Sequence, residues 1–279
     1  TALMVLARPG TEVICEASCH FVDWELGAPA ALAGVAMRGI TTMDGVLTTD
    51  AVRTAMRAPS AIQVQTSAVT IEQTHNGAGG RITPIDNMRE IAALAREHGL
   101  GIHLDGARLW HAAAATGVTV REYSQCADTV MVALSKGLGC PIGSMLAGSN
   151  EHMVEARVIR RRLGGAMRQT GILAAAGLYA LDHHMDRLHE DHERARRLAQ
   201  RAAHVPGLSV IEPETNIVMM DIVATHLSAV DVVAALAKHD VLMTAFTSRR
   251  VRAVTHMDIN DEGLSRAAEA LAKVMAALA

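Results

Sequence analysis

Met131-Val-Ala-Leu-Ser-Lys136-Gly-Leu-Gly-Cys-Pro-Ile-Gly-Ser144 carries an apolar strand into a Ser-Lys-Gly turn and on toward a second apolar strand. Lys136 stands out there because the 279-residue chain has only three lysines. The other two, Lys238 and Lys273, ride on alanine-rich helical patterns, where a lysine solvates a face. An amine can lose its proton when desolvated and can add to a carbonyl; a guanidinium does neither. In a chain whose positive charge is otherwise arginine, a lysine at a strand end is the first candidate for chemistry.

Outward from this turn, short β-rich runs alternate with helical patterns. Toward the N-terminus, Gly101 to Asp105, Ala68 to Glu72, Val35 to Ile40 and Glu12 to Cys15 read as strands. Between them, Phe21 to Leu32 reads as one helix. A second, capped by Thr49 or Asp50, runs through Met56. A third is opened by Pro84, with Ile85, Met88, Ile91, Ala92 and Ala95 at helical spacing up to Gly99. Gly77-Ala-Gly-Gly80 is a loop that needs positive φ. Ile142 to Ala147 reads as the strand after Lys136, and Asn150 to about Ala203 as almost continuous helix. The alternation predicts an α/β fold, a mostly parallel sheet with flanking helices. Strands near Val210, Ile217 to Ile222, Val241 and Val251 to Val254, with helices at Ser228 to Lys238 and Asp261 to Leu278, predict a small C-terminal α+β domain. The expected division is a large domain at 1–185 and a small one at 186–279.

The composition narrows the function classes. Half the residues are hydrophobic and the net charge is −3, which provides no basic footprint for nucleic acid. No apolar run reaches the ~18 residues of a membrane span, and no signal peptide opens the chain. Four cysteines are too few and too irregularly spaced for a disulfide framework, and reduced thiols fit a cytoplasmic protein. Cys15, Cys19 and His20 suggest a zinc half-site, but no second ligand pair follows, so no metal is expected. Aromatic residues make up only 2%, leaving the core to aliphatic side chains and 15 methionines.

In a parallel α/β sheet, ligands gather at the carboxyl ends of strands. Asp105, in Asp105-Gly-Ala-Arg108, and Lys136 both fall there. One reading is a buried salt bridge. The other is a pyridoxal phosphate site, in which the lysine forms the Schiff base and the aspartate keeps the pyridine nitrogen protonated, making the ring a better electron sink.

Three long stretches bear on that choice: Gly101-Ile-His-Leu-Asp-Gly-Ala-Arg-Leu-Trp110, Leu134-Ser-Lys-Gly-Leu-Gly-Cys-Pro-Ile-Gly-Ser144, and Leu163-Gly-Gly-Ala-Met-Arg-Gln-Thr-Gly-Ile-Leu-Ala-Ala-Ala-Gly177. Together with Glu72-Gln-Thr-His-Asn76 and Arg252-Ala-Val-Thr-His256, they closely resemble the low-specificity L-threonine aldolase family. This is also called the aromatic amino acid β-eliminating lyase/threonine aldolase family, and its members have the aspartate-aminotransferase-like fold. The resemblance implies pyridoxal 5'-phosphate as cofactor, Lys136 as the Schiff-base lysine and Asp105 as the pyridine-nitrogen partner. It places His20 over the ring, Ser135 and Arg108 among the cofactor contacts, and Arg108 with Arg252 on the substrate carboxylate. His75 matches the histidine of the family's Glu-Asn-Thr-His-Asn segment, with Gln73 where asparagine is commoner. The implied reaction is aldol cleavage of L-threonine or L-allo-threonine to glycine and acetaldehyde. The base is His20 or a water held by His75. The alternatives are β-elimination from another β-substituted amino acid, or a non-catalytic paralogue acting only in assembly. The resemblance also implies a homo-oligomer, dimer or tetramer, with sites at the subunit interface. Family members carry an Arg-Ser-Asp-Thr stretch and a Ser/Thr-Gly-Thr phosphate loop ahead of the position of Thr1. This sequence is therefore expected to be N-terminally truncated and to bind the cofactor weakly or not at all.

Overall fold

Val13, Ile14 and Cys15 are fully buried at the centre of a strand covered on both faces, as the unbroken apolar run Val-Ile-Cys requires. The computed structural model describes residues 1–224 and 226–278. They divide into two compact units, Thr1–Met185 and Asp186–Ala279.

In the first unit the elements run α1 (Ala2–Leu6), β1 (Glu12–Glu16), α2 (His20–Asp23), β2 (Ala36–Ile40), α3 (Thr49–Ala55), β3 (Thr66–Glu72), α4 (Ile85–Glu97) and β4 (Gly101–Gly106). They continue with α5 (Leu109–Thr116), α6 (Val120–Ser124), β5 (Thr129–Ala133), β6 (Ser144–Gly148), α7 (Asn150–Arg162) and α8 (Gly171–His183). One six-stranded sheet has the order β2-β1-β3-β4-β5-β6, parallel throughout except for the antiparallel β5–β6 pair. Alternation along β1 and β3 divides the core. Ile14, Val69 and Ile71 face a cluster with Met88 and Ile91 of α4 and Leu109 of α5, while Val13 and Ala68 face Leu3 of α1. Each fully buried aliphatic side chain is worth about 1.5–3 kcal/mol, so these two layers fix the sheet's register and with it the positions of the strand ends.

Two local expectations are corrected. Phe21 to Leu32 is not one helix. It is the short α2, a turn in which Leu26 and Gly27 take positive φ of 52° and 73°, and a single π-helical turn at Pro29–Ala33. Pro29 has no N–H to donate to a helix running through it, and the positive φ pair ends the preceding turn. The cap of α3 is Thr48 rather than Thr49 or Asp50; its Oγ1 accepts the Ala51 N–H at 3.2 Å.

The second unit holds α9 (Leu188–Ala202), β7 (Leu208–Ile211), β8 (Ile217–Ile222), α10 (Ala229–Ala237), β9 (Thr244–Ala245), β10 (Arg250–Val254) and α11 (Asp261–Leu278). Its antiparallel sheet has the order β7-β8-β10-β9. Val218, Met220 and Ile222 pack with Leu198 of α9 and Leu271 of α11. The strand expected near Val241 lies slightly later, at β9, after Asp240 takes a φ of 57°.

Candidate active site

The carboxyl ends of β1, β3, β4 and β5 collect charge. Glu16 ends β1, Glu72 ends β3, Asp105 is next to last in β4, and Lys136 follows β5 in the turn toward β6. Register pairs Glu72 with Asp105 and Asp105 with Met131, so the three parallel strands end side by side.

Asp105 is 4% exposed and borders a cavity of about 590 Å³ shared with Phe21, Glu25, His103, Ser144 and Arg157, whereas Lys136, Ser135, Arg108, His20 and His75 do not line it. One carboxylate oxygen accepts the Ala107 N–H at 3.2 Å. Burial, reinforced by the Glu72 carboxylate, pushes Asp105 up to about 6, against the opposing pull of Ala107, Lys136 and His20. Its backbone is held as firmly: the Asp105 carbonyl accepts the Gln73 N–H at 2.7 Å. Gln73 is anchored in turn by a reciprocal pair, its Nε2 donating to the Thr83 carbonyl (3.0 Å) and its Oε1 accepting the Thr83 N–H (2.9 Å). Gly106 follows because a Cβ there would sit 2.6 Å from the Met131 carbonyl oxygen of the neighbouring strand.

The Lys136 side chain is exposed, yet enough protein surrounds its amine that desolvation, followed by the Arg108 charge, lowers its pKa. Asp105, Glu72 and Glu25 partly oppose this. Among the described residues Lys136 and Asp105 form no ion pair, so the buried salt bridge is not what joins them. The lysine turn is tied by several hydrogen bonds. Gly139 N–H donates to the Lys136 carbonyl, Cys140 N–H to Leu134, Leu134 N–H to Gly143, and the Trp110 indole clamps Ala133 at 3.0 Å. Ser135, exposed, donates its N–H to the Gly143 carbonyl at 3.4 Å. Gly137 lies directly against the imidazole of His111, leaving no room for a Cβ.

Arg108 is buried at the start of α5, with Nη1 donating to the Asn76 side-chain oxygen at 3.0 Å. His20 opens α2. Its N–H donates to Glu72 Oε2 at 2.8 Å, and its Nδ1 lies 2.7 Å from Glu25 Oε1. The Glu25 bond raises its pKa, with burial opposing and Asp105 and Glu72 adding to the rise. His75 is 1% exposed with both ring nitrogens engaged: Nε2 lies 3.0 Å from Glu16 and Nδ1 accepts the Ala78 N–H at 3.1 Å. Burial alone would lower its pKa, but the Glu16 bond and the neighbouring carboxylates prevail and raise it. Because a backbone amide can only donate, Nδ1 carries no proton in this arrangement, and the neutral Nε2–H form faces Glu16.

Asp105, Lys136, Arg108, His20, His75 and Ser135 thus all belong to the first unit. Arg252 belongs to the second, on β10, with its guanidinium 5.1 Å from the centre of the Phe246 ring. The sequence reading missed Glu16, Glu25 and the anchoring role of Glu72. A signal existed for two of them, since Glu16 and Glu72 end apolar strands as Asp105 does. Glu25 has no periodic signal, because the turn after α2 brings it back to His20.

A family model described as "Beta-eliminating lyase" matches residues 1–225. Low-specificity L-threonine aldolase 1 of Arabidopsis thaliana is 36% identical over 256 residues, covering 90% of this chain and 72% of that protein. The low specificity L-threonine aldolase of Escherichia coli is 34% identical over 268 residues, covering 96% and 78% respectively. Among solved structures, the threonine aldolase of Leishmania major superposes with a TM-score of 0.80 at 21% identity, covering 98% of this chain and 80% of that one. The aspartate aminotransferase of Thermus thermophilus superposes at 0.70 and 19% identity, over 98% and 72%. The structural matches share the fold, and the sequence matches decide the family. The chain belongs to the beta-eliminating lyase family, alongside the low-specificity L-threonine aldolases.

Proposed function

We propose that the chain is a pyridoxal 5'-phosphate-dependent lyase that splits L-threonine and L-allo-threonine into glycine and acetaldehyde. The observation that carries this reading is Asp105: a buried carboxylate bordering a cavity, with no cation bound to it among the described residues. Such a group is costly to bury charged. A protonated pyridine nitrogen would repay that cost, so the donor set fits the cofactor. Lys136, with its lowered pKa, would hold the aldehyde carbon covalently, while Ser135 and Arg108 would contact the polar edge. When bound, pyridoxal phosphate supplies an electron sink for the Cα–Cβ bonding pair.

The remaining roles fall to the chain. We assign the substrate α-carboxylate to Arg108, whose planar fork suits a carboxylate. His20 takes the β-hydroxyl proton at Nε2 as the bond to acetaldehyde breaks. His75, with both nitrogens occupied, holds the Glu16 and Ala78 segments together, which favours His20 over a His75-held water as the base.

The four cysteines are free and buried, and no helix among the described residues is long and apolar enough to cross a membrane; we place the protein in the cytoplasm. We also propose a homo-oligomer, because α8 leaves Ile172, Leu178 and Tyr179 87%, 65% and 59% exposed.

The test is product analysis with L-threonine and added cofactor. Equal acetaldehyde and glycine are expected. A 2-oxo acid with ammonia would overturn the reading in favour of β-elimination. No turnover, with the chain incorporated into oligomers of an active homologue, would overturn it in favour of an assembly role.

A further inference from the structure

Glu25 borders the Asp105 cavity and makes one side-chain hydrogen bond, to His20. Its Oε1 lies 2.7 Å from His20 Nδ1, a short bond for a pair that is about a third exposed on each side (32% and 41%). The backbone that brings it there is strained. After α2, the Ala28 N–H closes a turn onto the Glu25 carbonyl, and Leu26 adopts a φ of 52° while being 98% exposed. A β-turn residue with a Cβ at positive φ costs on the order of 1 kcal/mol, and an exposed leucine side chain contributes no packing to offset it. A half-exposed ion pair is itself worth only about 0–1 kcal/mol. Stability therefore does not account for this turn, whereas placing a carboxylate on the His20 ring does.

The chemistry of that contact is specific. A carboxylate accepts, so the proton of the neutral imidazole sits on Nδ1 and the lone pair on Nε2. Among the described residues Nε2 has no hydrogen-bond partner, which leaves it open to a substrate hydroxyl. Free histidine in water prefers the opposite tautomer, so the contact matters for function.

We propose that Glu25 is a positioning residue for His20, fixing the tautomer and ring orientation in which Nε2 is the proton acceptor. This rests on the aldolase reading for its catalytic meaning but not for its geometry. The logic is that of a buried carboxylate behind a catalytic histidine, weakened by solvent exposure. The groups that face His20 are Glu25 from the turn after α2, Asp105 from β4 and Glu72 from β3; all three are anionic and favour the imidazolium. Lys136 acts in turn on Glu25.

The test uses ¹⁵N-histidine-labelled chain without cofactor, with long-range ¹H–¹⁵N spectra recorded across pH. The expected result is an Nδ1–H tautomer for His20 in the wild type, lost in Glu25→Ala and retained in Glu25→Gln, whose side-chain oxygen can still accept. The His20 pKa should fall in both variants, with melting temperatures unchanged. In the cofactor-loaded enzyme, Glu25→Ala should lower kcat/KM for threonine about tenfold and move the acidic limb of its pH profile downward. It should have no further effect in a His20→Phe background. Unchanged tautomer and pKa in Glu25→Ala would overturn the proposal whatever the activity. A changed tautomer with unchanged kcat/KM would also overturn it, because the contact would then not serve the reaction. If the spectra behave as expected but the products are a 2-oxo acid and ammonia, the Glu25–His20 arrangement stands and the aldolase reading fails.

Discussion

The Nε2–H of His75 points at Glu16 Oε2 across 3.0 Å, and the same oxygen also accepts the Ser18 N–H at 2.6 Å and the Ser18 hydroxyl at 2.7 Å. Burial alone would raise the Glu16 pKa, but the His75 and Ser18 bonds prevail and lower it to about 2. Glu16→Gln removes the charge that strengthens the three bonds meeting at that buried oxygen. It should cost about 2–3 kcal/mol at pH 7, read by urea unfolding. The sign of the pH dependence follows from the depressed pKa. The stabilisation is complete above the ordinary value of 4.5 and is lost as pH falls toward about 2, so the variant's stability should decline less over that window.

Asp105 is the opposite case. Its folded pKa, raised to about 6 from 3.8, means the charged form is disfavoured by folding. Without cofactor, its unfavourable contribution is absent below the unfolded value, grows as pH rises from about 4 to 6, and is complete above that. Asp105→Asn should therefore stabilise the cofactor-free chain at pH 8 by on the order of 2 kcal/mol while abolishing lyase activity. Differential scanning calorimetry at pH 4 and pH 8 checks it, since the gain should be confined to the higher pH.

Lys136→Ala should remove covalent cofactor attachment. After borohydride reduction, peptide mass analysis should find the cofactor on residue 136 of the wild type and nowhere on the variant. Turnover should fall by on the order of 10³-fold, while the melting temperature of the cofactor-free chain stays within a degree or two, because the side chain is exposed.

Gly137→Ala tests the packing behind that lysine. The new methyl would meet the imidazole of His111, which is fully buried and cannot retreat. Overpacking of this kind costs about 1–3 kcal/mol, and part of the relief must come from displacing the Lys136 turn. Both stability and kcat should fall, whereas Gly137→Ala combined with His111→Ala should recover a measurable part of each.

The parallel sheet was legible because each buried strand is an unbroken apolar run bounded by turn residues, and Asp105 and Lys136 were legible as charges ending such runs. The same rule applied to Glu16 and Glu72 would have found them. Glu25 was not legible, because Leu26 at positive φ turns the chain where glycine or asparagine would ordinarily mark the turn. The helix expected over Phe21 to Leu32 failed for the same reason: an apolar run through Trp24, Leu26 and Leu32 suggests burial, yet these side chains are 47%, 98% and 52% exposed.

The antiparallel β5–β6 pair has a consequence for how the reactive amine is installed. Every other neighbouring pair in the large sheet is parallel and must wait for a crossover to close. Lys136 instead rides a hairpin whose strands, Thr129–Ala133 and Ser144–Gly148, are joined by ten residues. Its loop-closure entropy is the smallest in the sheet, so the lysine arm can take its shape from local pairing while the aspartate opposite it depends on the whole β-α-β assembly.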